Sequence, residues 1–233
     1  MTSPEPLAGL TGRGVRIAIV DSGVNPDHPH VGGVAGGVAL CAGGADHYLD
    51  HLGHGTAVAS AIRERAPEAS LFAVKVFDRA LATRIDRLVR ALEWSIAERM
   101  DIINLSLGTG HPAHRGRLEA LVEQAVNAGI AVVAARGNSA AESLPGALPG
   151  VIGVGLDWDC PRESYRCLPS GPRLLFVASG YPRAIPGVPP SHNLMGISFA
   201  VANMSGFVAR ARQAAESRSL ASLEKILAAN AAA

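Results

Sequence analysis

Val15-Arg16-Ile17-Ala18-Ile19-Val20-Asp21-Ser22-Gly23 decides how this chain is read. The run from Val15 to Val20 is apolar except for Arg16 and is bounded by Gly14 and Gly23, the pattern of a short strand buried on both faces. Such strands belong to parallel sheets covered by helices, and Asp21 falls at the carboxyl end, the edge where these sheets bind ligands. Working outward, Thr56 to Arg65 has helical spacing through Val58, Ala59 and Ile62 and is stopped by Pro67. Leu71 to Phe77 is the next strand, and Thr83 to Arg99 an amphipathic helix with Ile85, Leu88, Val89, Leu92 and Ile96 on one stripe. Asp101 to Gly108 reads as a strand, Leu118 to Ala128 as a helix capped by Gly129, and Ile130 to Ala135 as a strand. Val151–Gly155 and Leu174–Ala178 are two further strands, and Ser198 to Ala215 is a long helix followed by a shorter one from Leu220. This alternation predicts an α/β fold: a mostly parallel central sheet with helices on both faces. Gly180 to Ser191, rich in glycine and proline, is predicted to be a long loop.

With 233 residues, 48% hydrophobic and 18% charged, the chain has the material for one full core, so a single domain is expected over residues 1–233, with 1–14 as an N-terminal extension. A formal charge of +1 with scattered basic groups excludes a nucleic-acid partner or an anionic membrane surface. No window approaches the roughly eighteen apolar residues of a membrane span, and Met1 to Gly14 lacks the apolar centre of a signal peptide. The expectation is a soluble, cytoplasmic protein; because the first strand begins by Val15, no prosegment is expected either. Cys41, Cys160 and Cys167 are expected as free thiols, although Cys160 and Cys167 are spaced to close a small loop in an oxidising compartment. The sequence carries no signal for an oligomeric state.

Three glycine-flanked segments carry chemistry: Asp21-Ser22-Gly23, His54-Gly55-Thr56 and Gly196-Ile197-Ser198. A nucleophilic serine needs a base and the base an orienting carboxylate, and all three residue types are present, each where a strand ends or a helix begins. Singly, an Asp at a strand end or a Ser at a helix start is a turn or cap residue. Their joint occurrence in the order Asp, His, Ser is what points to catalysis.

Asp21-Ser22-Gly23, His54-Gly55-Thr56-Ala57-Val58-Ala59 and Gly196-Ile197-Ser198-Phe199-Ala200 resemble the signature blocks of the subtilisin-like serine proteases. Between them, Asn104-Leu105-Ser106-Leu107-Gly108 and Ala134-Ala135-Arg136-Gly137-Asn138 are similar to that family's substrate-strand and oxyanion-hole segments. The resemblance implies a serine endopeptidase acting on polypeptides through an acyl-enzyme, with catalytic residues Asp21, His54, Ser198 and Asn138. It also implies that Ser106, Leu107, Gly108, Ala135, Arg136 and Gly137 bind substrate. No cofactor is implied, and no structural-calcium loop is legible. The chain departs from the family at Ile197, where a Thr is usual, and at Ala202, where a Pro is usual; Ala202 should let the helix run on without a kink. Arg136 stands where a small residue is usual, and reads either as a contact for acidic or polar substrate side chains or as a solvated arginine. A restricted processing task is the expected role.

Two other readings fit the same residues. A degenerate member would bind peptides without turnover. A metal cluster would use Asp46, His47, Asp50, His51 and His54, with His51 and His54 at ligand spacing, although Gly53 argues for a loop there. His28, His30, His111, His114 and His192 are expected on the surface or in loops.

Overall fold

The computed structural model describes residues 6–41, 47–136 and 143–232. Its strands are β1 (Arg16–Asp21), β2 (Gly36–Ala39), β3 (Ser70–Lys75), β4 (Ile102–Leu105), β5 (Ala131–Ala135), β6 (Val151–Leu156), β7 (Tyr165–Ser170) and β8 (Arg173–Ala178). The helices are α1 (His54–Arg65), α2 (Ile85–Ala97), α3 (Arg115–Asn127), α4 (Ile197–Ala214) and α5 (Leu220–Ala229). The strands form one sheet in the order β2-β3-β1-β4-β5-β6-β8-β7, and every pairing is parallel except that of β7 with β8. None of the described helices is long and apolar enough to cross a membrane.

Alternation along β1 sets up the two faces. Ile17 and Ile19 join one core cluster with α1, α4 and α5, while Ala18 and Val20 join a second with α2 and α3. All four are fully buried, as a strand covered on both sides requires. Each Ile, Val or Phe wholly removed from water contributes roughly 1.5–3 kcal/mol, so the two layers hold the sheet between them. Helix α4 is buried along nearly its whole length, from Phe199 to Arg212, and runs unbroken through Ala202 as its helix propensity predicts.

The sequence reading placed the interior strands and missed the edges. Asp101 to Gly108 was expected as strand throughout, but pairing ends at Leu105 and Ser106 to Gly108 continue as free backbone. The expected strand over Leu71–Phe77 stops at Lys75, and the helix over Thr83–Arg99 is confined to Ile85–Ala97. β2 and β7 were not foreseen. β2 is four residues with two glycines, and β7 contains Pro169; both lie at sheet edges, where weak strand formers are tolerated. Residues 179–196 form the expected long loop, with one short turn of 3₁₀ helix at Pro190–His192. The three cysteines are unpaired, and the buried Cys160 thiol hydrogen-bonds to the Ser164 carbonyl at 3.5 Å.

The crossovers place the site. β1 lies between β3 and β4, and the chain leaves it over α1 on one face and returns over α2 on the other. The carboxyl ends of β1 and β4 therefore flank the crevice where the winding reverses, the usual ligand position in such sheets.

Candidate active site

Asp21 is the last residue of β1 and fully buried; His54 is the first residue of α1. Asp21 Oδ1 accepts from His54 Nδ1 at 2.8 Å and from the Ser22 amide at 2.7 Å, while its Oδ2 is buried without a hydrogen-bond partner among the described residues. With its Nδ1 proton held by Asp21, the imidazole presents Nε2 as the acceptor. Burial pulls the His54 proton affinity down, but the hydrogen bond to Asp21 and the charges of Asp21 and Asp50 outweigh it and raise the pKa above 6.5. Phe199 packs beside the imidazole, ring centroids 5.5 Å apart, and fixes its plane.

The close seating of β1 against α1 needs Gly55. A Cβ there would lie 2.1 Å from the Gly23 carbonyl oxygen and 3.2 Å from Asp21 Oδ1. A residue outside the predicted set holds the two elements together. Asp50 Oδ1 accepts from Ser22 Oγ and the Leu52 and Gly53 amides at 2.9, 2.9 and 3.0 Å. Its Oδ2 accepts from the Thr56 amide at 2.9 Å and the Thr56 hydroxyl at 2.6 Å. Ser22 Oγ in turn accepts from the Gly55 amide at 2.9 Å, so one carboxylate joins the end of β1 to the start of α1. These bonds draw two residues of the metal reading into other roles. Both oxygens of Asp50 are engaged, His54 faces Asp21, and among the described residues no three His, Cys, Asp or Glu converge on a metal position; Asp46 lies outside the described residues. Side-chain hydrogen bonding by an aspartate ahead of a helix start was the signal available for Asp50 in the sequence.

Ser198 is the second residue of α4, among the N–H groups a helix leaves unpaired at its start. Gly196, the N-cap at φ 144°, takes a conformation that disfavours a side chain, and nothing stands within 4 Å of where a Cβ would be, so substrate backbone has open access. Ser198 Oγ donates to the Ser106 carbonyl at 3.3 Å. Ser198 and His54 line one cleft of about 430 Å³ with Phe77, Leu81, Leu107 and Gly108. Asn104 ties its walls together: its Nδ2 donates to Ser106 Oγ at 3.0 Å and its Oδ1 accepts from Ser205 Oγ of α4 at 3.0 Å. Asn203, also on α4, holds the loop leading into Ser198 by donating to the carbonyls of Ser179 and Tyr181, both at 3.0 Å. Neither role shows in the sequence, because the contacts of Asn104 with Ser205 and of Asn203 with Ser179 and Tyr181 each span more than twenty residues of chain.

The structure thus brings Asp21, His54, Ser198 and Ser106 to Gly108 to one edge of the sheet. Ala135 ends β5 and Arg136 follows it; the Arg136 stem packs over Gly153 of β6, with Cδ 3.0 Å from where a Cβ would stand. Gly137 and Asn138 lie outside the described residues. His28 and His30 sit in a loop as expected, yet both are half-buried and line a cavity.

Residues 12–157 match the sequence profile of the subtilase family. The chain is similar to subtilisin E of Bacillus subtilis (strain 168), 36% identical over 162 residues that cover 63% of this chain and 42% of the relative. It is similar to M-protease of Shouchella clausii (strain KSM-K16), 32% identical over 217 residues covering 88% of this chain and 56% of that protein. The matches therefore span about half the length of these relatives. In fold it resembles the crystal structure of a cold adapted subtilisin-like serine proteinase, with TM-score 0.75 and 23% identity over 95% of this chain and 84% of that one.

Proposed function

The chain belongs to the subtilase family, and on that premise we propose that it is a serine endopeptidase that hydrolyses polypeptides through an acyl-enzyme on Ser198. The observation that carries this reading is the 2.8 Å contact of buried Asp21 with His54, at a cleft that Ser198 shares with the imidazole. Ser198 Oγ attacks the scissile carbonyl as its proton passes to His54 Nε2. The negative charge of Asp21 stabilises the imidazolium. The oxyanion of the tetrahedral intermediate faces the Ser198 amide at the positive end of α4, with Asn138 as the second donor that the family resemblance implies. The imidazolium then protonates the leaving amine, and water repeats the sequence to release the acid.

Ser106 to Gly108, free of the sheet beyond Leu105, offer main-chain groups to an extended substrate. The apolar wall of Phe77, Leu81 and Leu107 supports a restricted, side-chain-selective task over general digestion. A peptide-binding module without turnover draws no support, because the imidazole held by Asp21 and the Ser198 hydroxyl line the same cleft.

A serine-directed fluorophosphonate tests the chemistry. Mass spectrometry should place one adduct on Ser198, absent in Ser198→Ala, and an unfolded protein should be cleaved by the first and not the second. No adduct together with no cleavage would sink the proposal. Equal cleavage across many unrelated unfolded proteins would remove the restricted-task part alone.

A further inference from the structure

A second cavity, of about 290 Å³, adjoins the site on the far side of His54. Its floor is the start of α1, and its walls are the loop after β1, bearing His28 and His30, and the loop before α4, bearing Arg183 and Asn193. Gly53 and Leu194 line it, one residue before His54 and four before Ser198 in the chain, yet it shares no lining residue with the cleft at Ser106 to Gly108. An extended substrate across Ser198 leaves the site in both directions. One half is held by Ser106 to Gly108; the other departs past the imidazole that protonates its amine, which is the side of this cavity.

Among the described residues the cavity lining carries one guanidinium, Arg183, and one carboxylate, Asp50. Asp50 is its lining carboxylate, and the five hydrogen bonds described above occupy both of its oxygens. Glu64, further along α1, is paired with Arg162 and Arg65. Arg183 is half-buried and donates through Nη1 to the His30 carbonyl at 3.2 Å, while the Asn193 amide donates to the Arg183 carbonyl at 3.3 Å. The His28 and His30 rings meet edge to face at 5.3 Å, and His28 Nδ1 accepts from the His30 amide at 3.2 Å. Burial, then Arg183 and His28, hold the His30 proton affinity below its ordinary value against the pull of Glu64. The Asp50 carboxylate is taken up by its five hydrogen bonds, so the cation offered to a ligand is the Arg183 guanidinium, with the His30 imidazole beside it as a neutral hydrogen-bonding group.

We propose that this cavity is a specificity subsite for the leaving-group half of the substrate, that it selects a carboxylate, and that Arg183 is the residue that decides the selection. The proposal rests on the endopeptidase reading above. The carboxylate comes either from an acidic side chain within three residues after the scissile bond or from the terminus of a substrate that ends there.

Binding separates this from turnover. In the Ser198→Ala protein, fluorescence anisotropy would compare labelled peptides of one sequence that carry Glu, Gln or Lys at each of the first three positions after the scissile bond, all C-terminally amidated. A further arm ends in a free carboxylate at those positions. At one position Glu, or the free terminus, should bind up to about fivefold tighter than Gln, the upper end of the range for a partly exposed ion pair. Lys should bind more weakly than Gln, and Arg183→Glu should invert the order. Arg183→Gln, nearly isosteric, should abolish the preference without inverting it and stands in if the reversal fails to fold. Affinities that ignore charge at all three positions, an order unchanged by both Arg183 variants, or no binding of any peptide would each overturn the subsite. If the native protein cleaves nothing while the charge preference persists, the hydrolytic reading fails and the subsite stands.

Discussion

Asp50→Ala is the perturbation that most directly tests how the site is held. The substitution deletes the acceptor of five hydrogen bonds, from Ser22 Oγ, the Leu52, Gly53 and Thr56 amides, and the Thr56 hydroxyl. Gly53 is exposed and Leu52 half-buried, so water recovers much of what their amides lose, but Ser22 is 0% exposed and Thr56 7%. Three buried donors left unsatisfied, the Ser22 hydroxyl and the Thr56 amide and hydroxyl, at about 1–2 kcal/mol each, give a loss of about 3–6 kcal/mol. For a chain of this length that lowers the melting temperature by roughly 6–24 °C. Catalysis should fall further than stability alone requires. Ser22 adjoins Asp21 and accepts from the Gly55 amide, so the link that sets Asp21 against His54 is loosened, and a displacement near 1 Å costs about a hundredfold in kcat/KM. The charge of Asp50 also helps raise the His54 pKa, so the acid limb of the pH–rate profile should move to lower pH. Thermal unfolding and the kcat/KM profile read all three effects. Asp50→Asn, which keeps one acceptor, should retain part of the stability while shifting the limb. A variant that melts within 1–2 °C of the parent and keeps its pH limb would refute the role assigned to Asp50.

The raised pKa of His54 fixes the pH dependence of the parent. The native state favours the imidazolium, so that stabilisation is complete below 6.5 and is lost as pH rises through the higher folded value, while the neutral base accumulates only above it; kcat/KM should rise through a midpoint above 6.5, and a midpoint at or below 6.5 would contradict the geometry. Gly55→Ala drives a methyl to 2.1 Å from the Gly23 carbonyl, so β1 and α1 must separate; a loss of roughly 1–3 kcal/mol and about a hundredfold in kcat/KM is expected, and near-parental activity would refute the close seating. Arg99, at φ 53° just past α2, takes the left-handed position that closes the helix through Arg99 N to Ile96 O and Met100 N to Ser95 O, 3.0 and 3.1 Å. Arg99→Gly should raise stability by about 0.5–1 kcal/mol at unchanged denaturant m-value, and a lower denaturation midpoint would count against it.

The interior of the sheet was legible because burial on both faces leaves its own record. Ile17 to Val20, Ile102 to Leu105 and Ala131 to Ala134 are runs with almost no polar residue, and each is an interior strand. The edges left no such record: β2 and β7 face solvent on one side, so glycine, proline and charge are tolerated there and the apolar pattern fades. The boundary at Leu105 was overrun because Ser106, Leu107 and Gly108 continue the strand pattern in sequence, while β5 pairs with β4 only through Leu105 and Ala134.

The chemical groups were equally legible, since Asp21, His54 and Ser198 each announce themselves beside a glycine at the end of an element. Their support was not. Asp50 stood out in the sequence only as one of several acids and histidines before α1, a member of the alternative metal cluster; only the folded loop turns it toward Ser22 and Thr56. His28, His30 and Arg183 are separated by some 150 residues, and Asn203 reaches Ser179 across 24. Local sequence determined which elements form and which reactive groups they end in, because periodicity and turn chemistry act over a few residues. Only the tertiary structure decided which carboxylate staples the loop and which charges share a cavity, because hydrogen bonds and fields act through space at a few ångströms and are indifferent to separation along the chain.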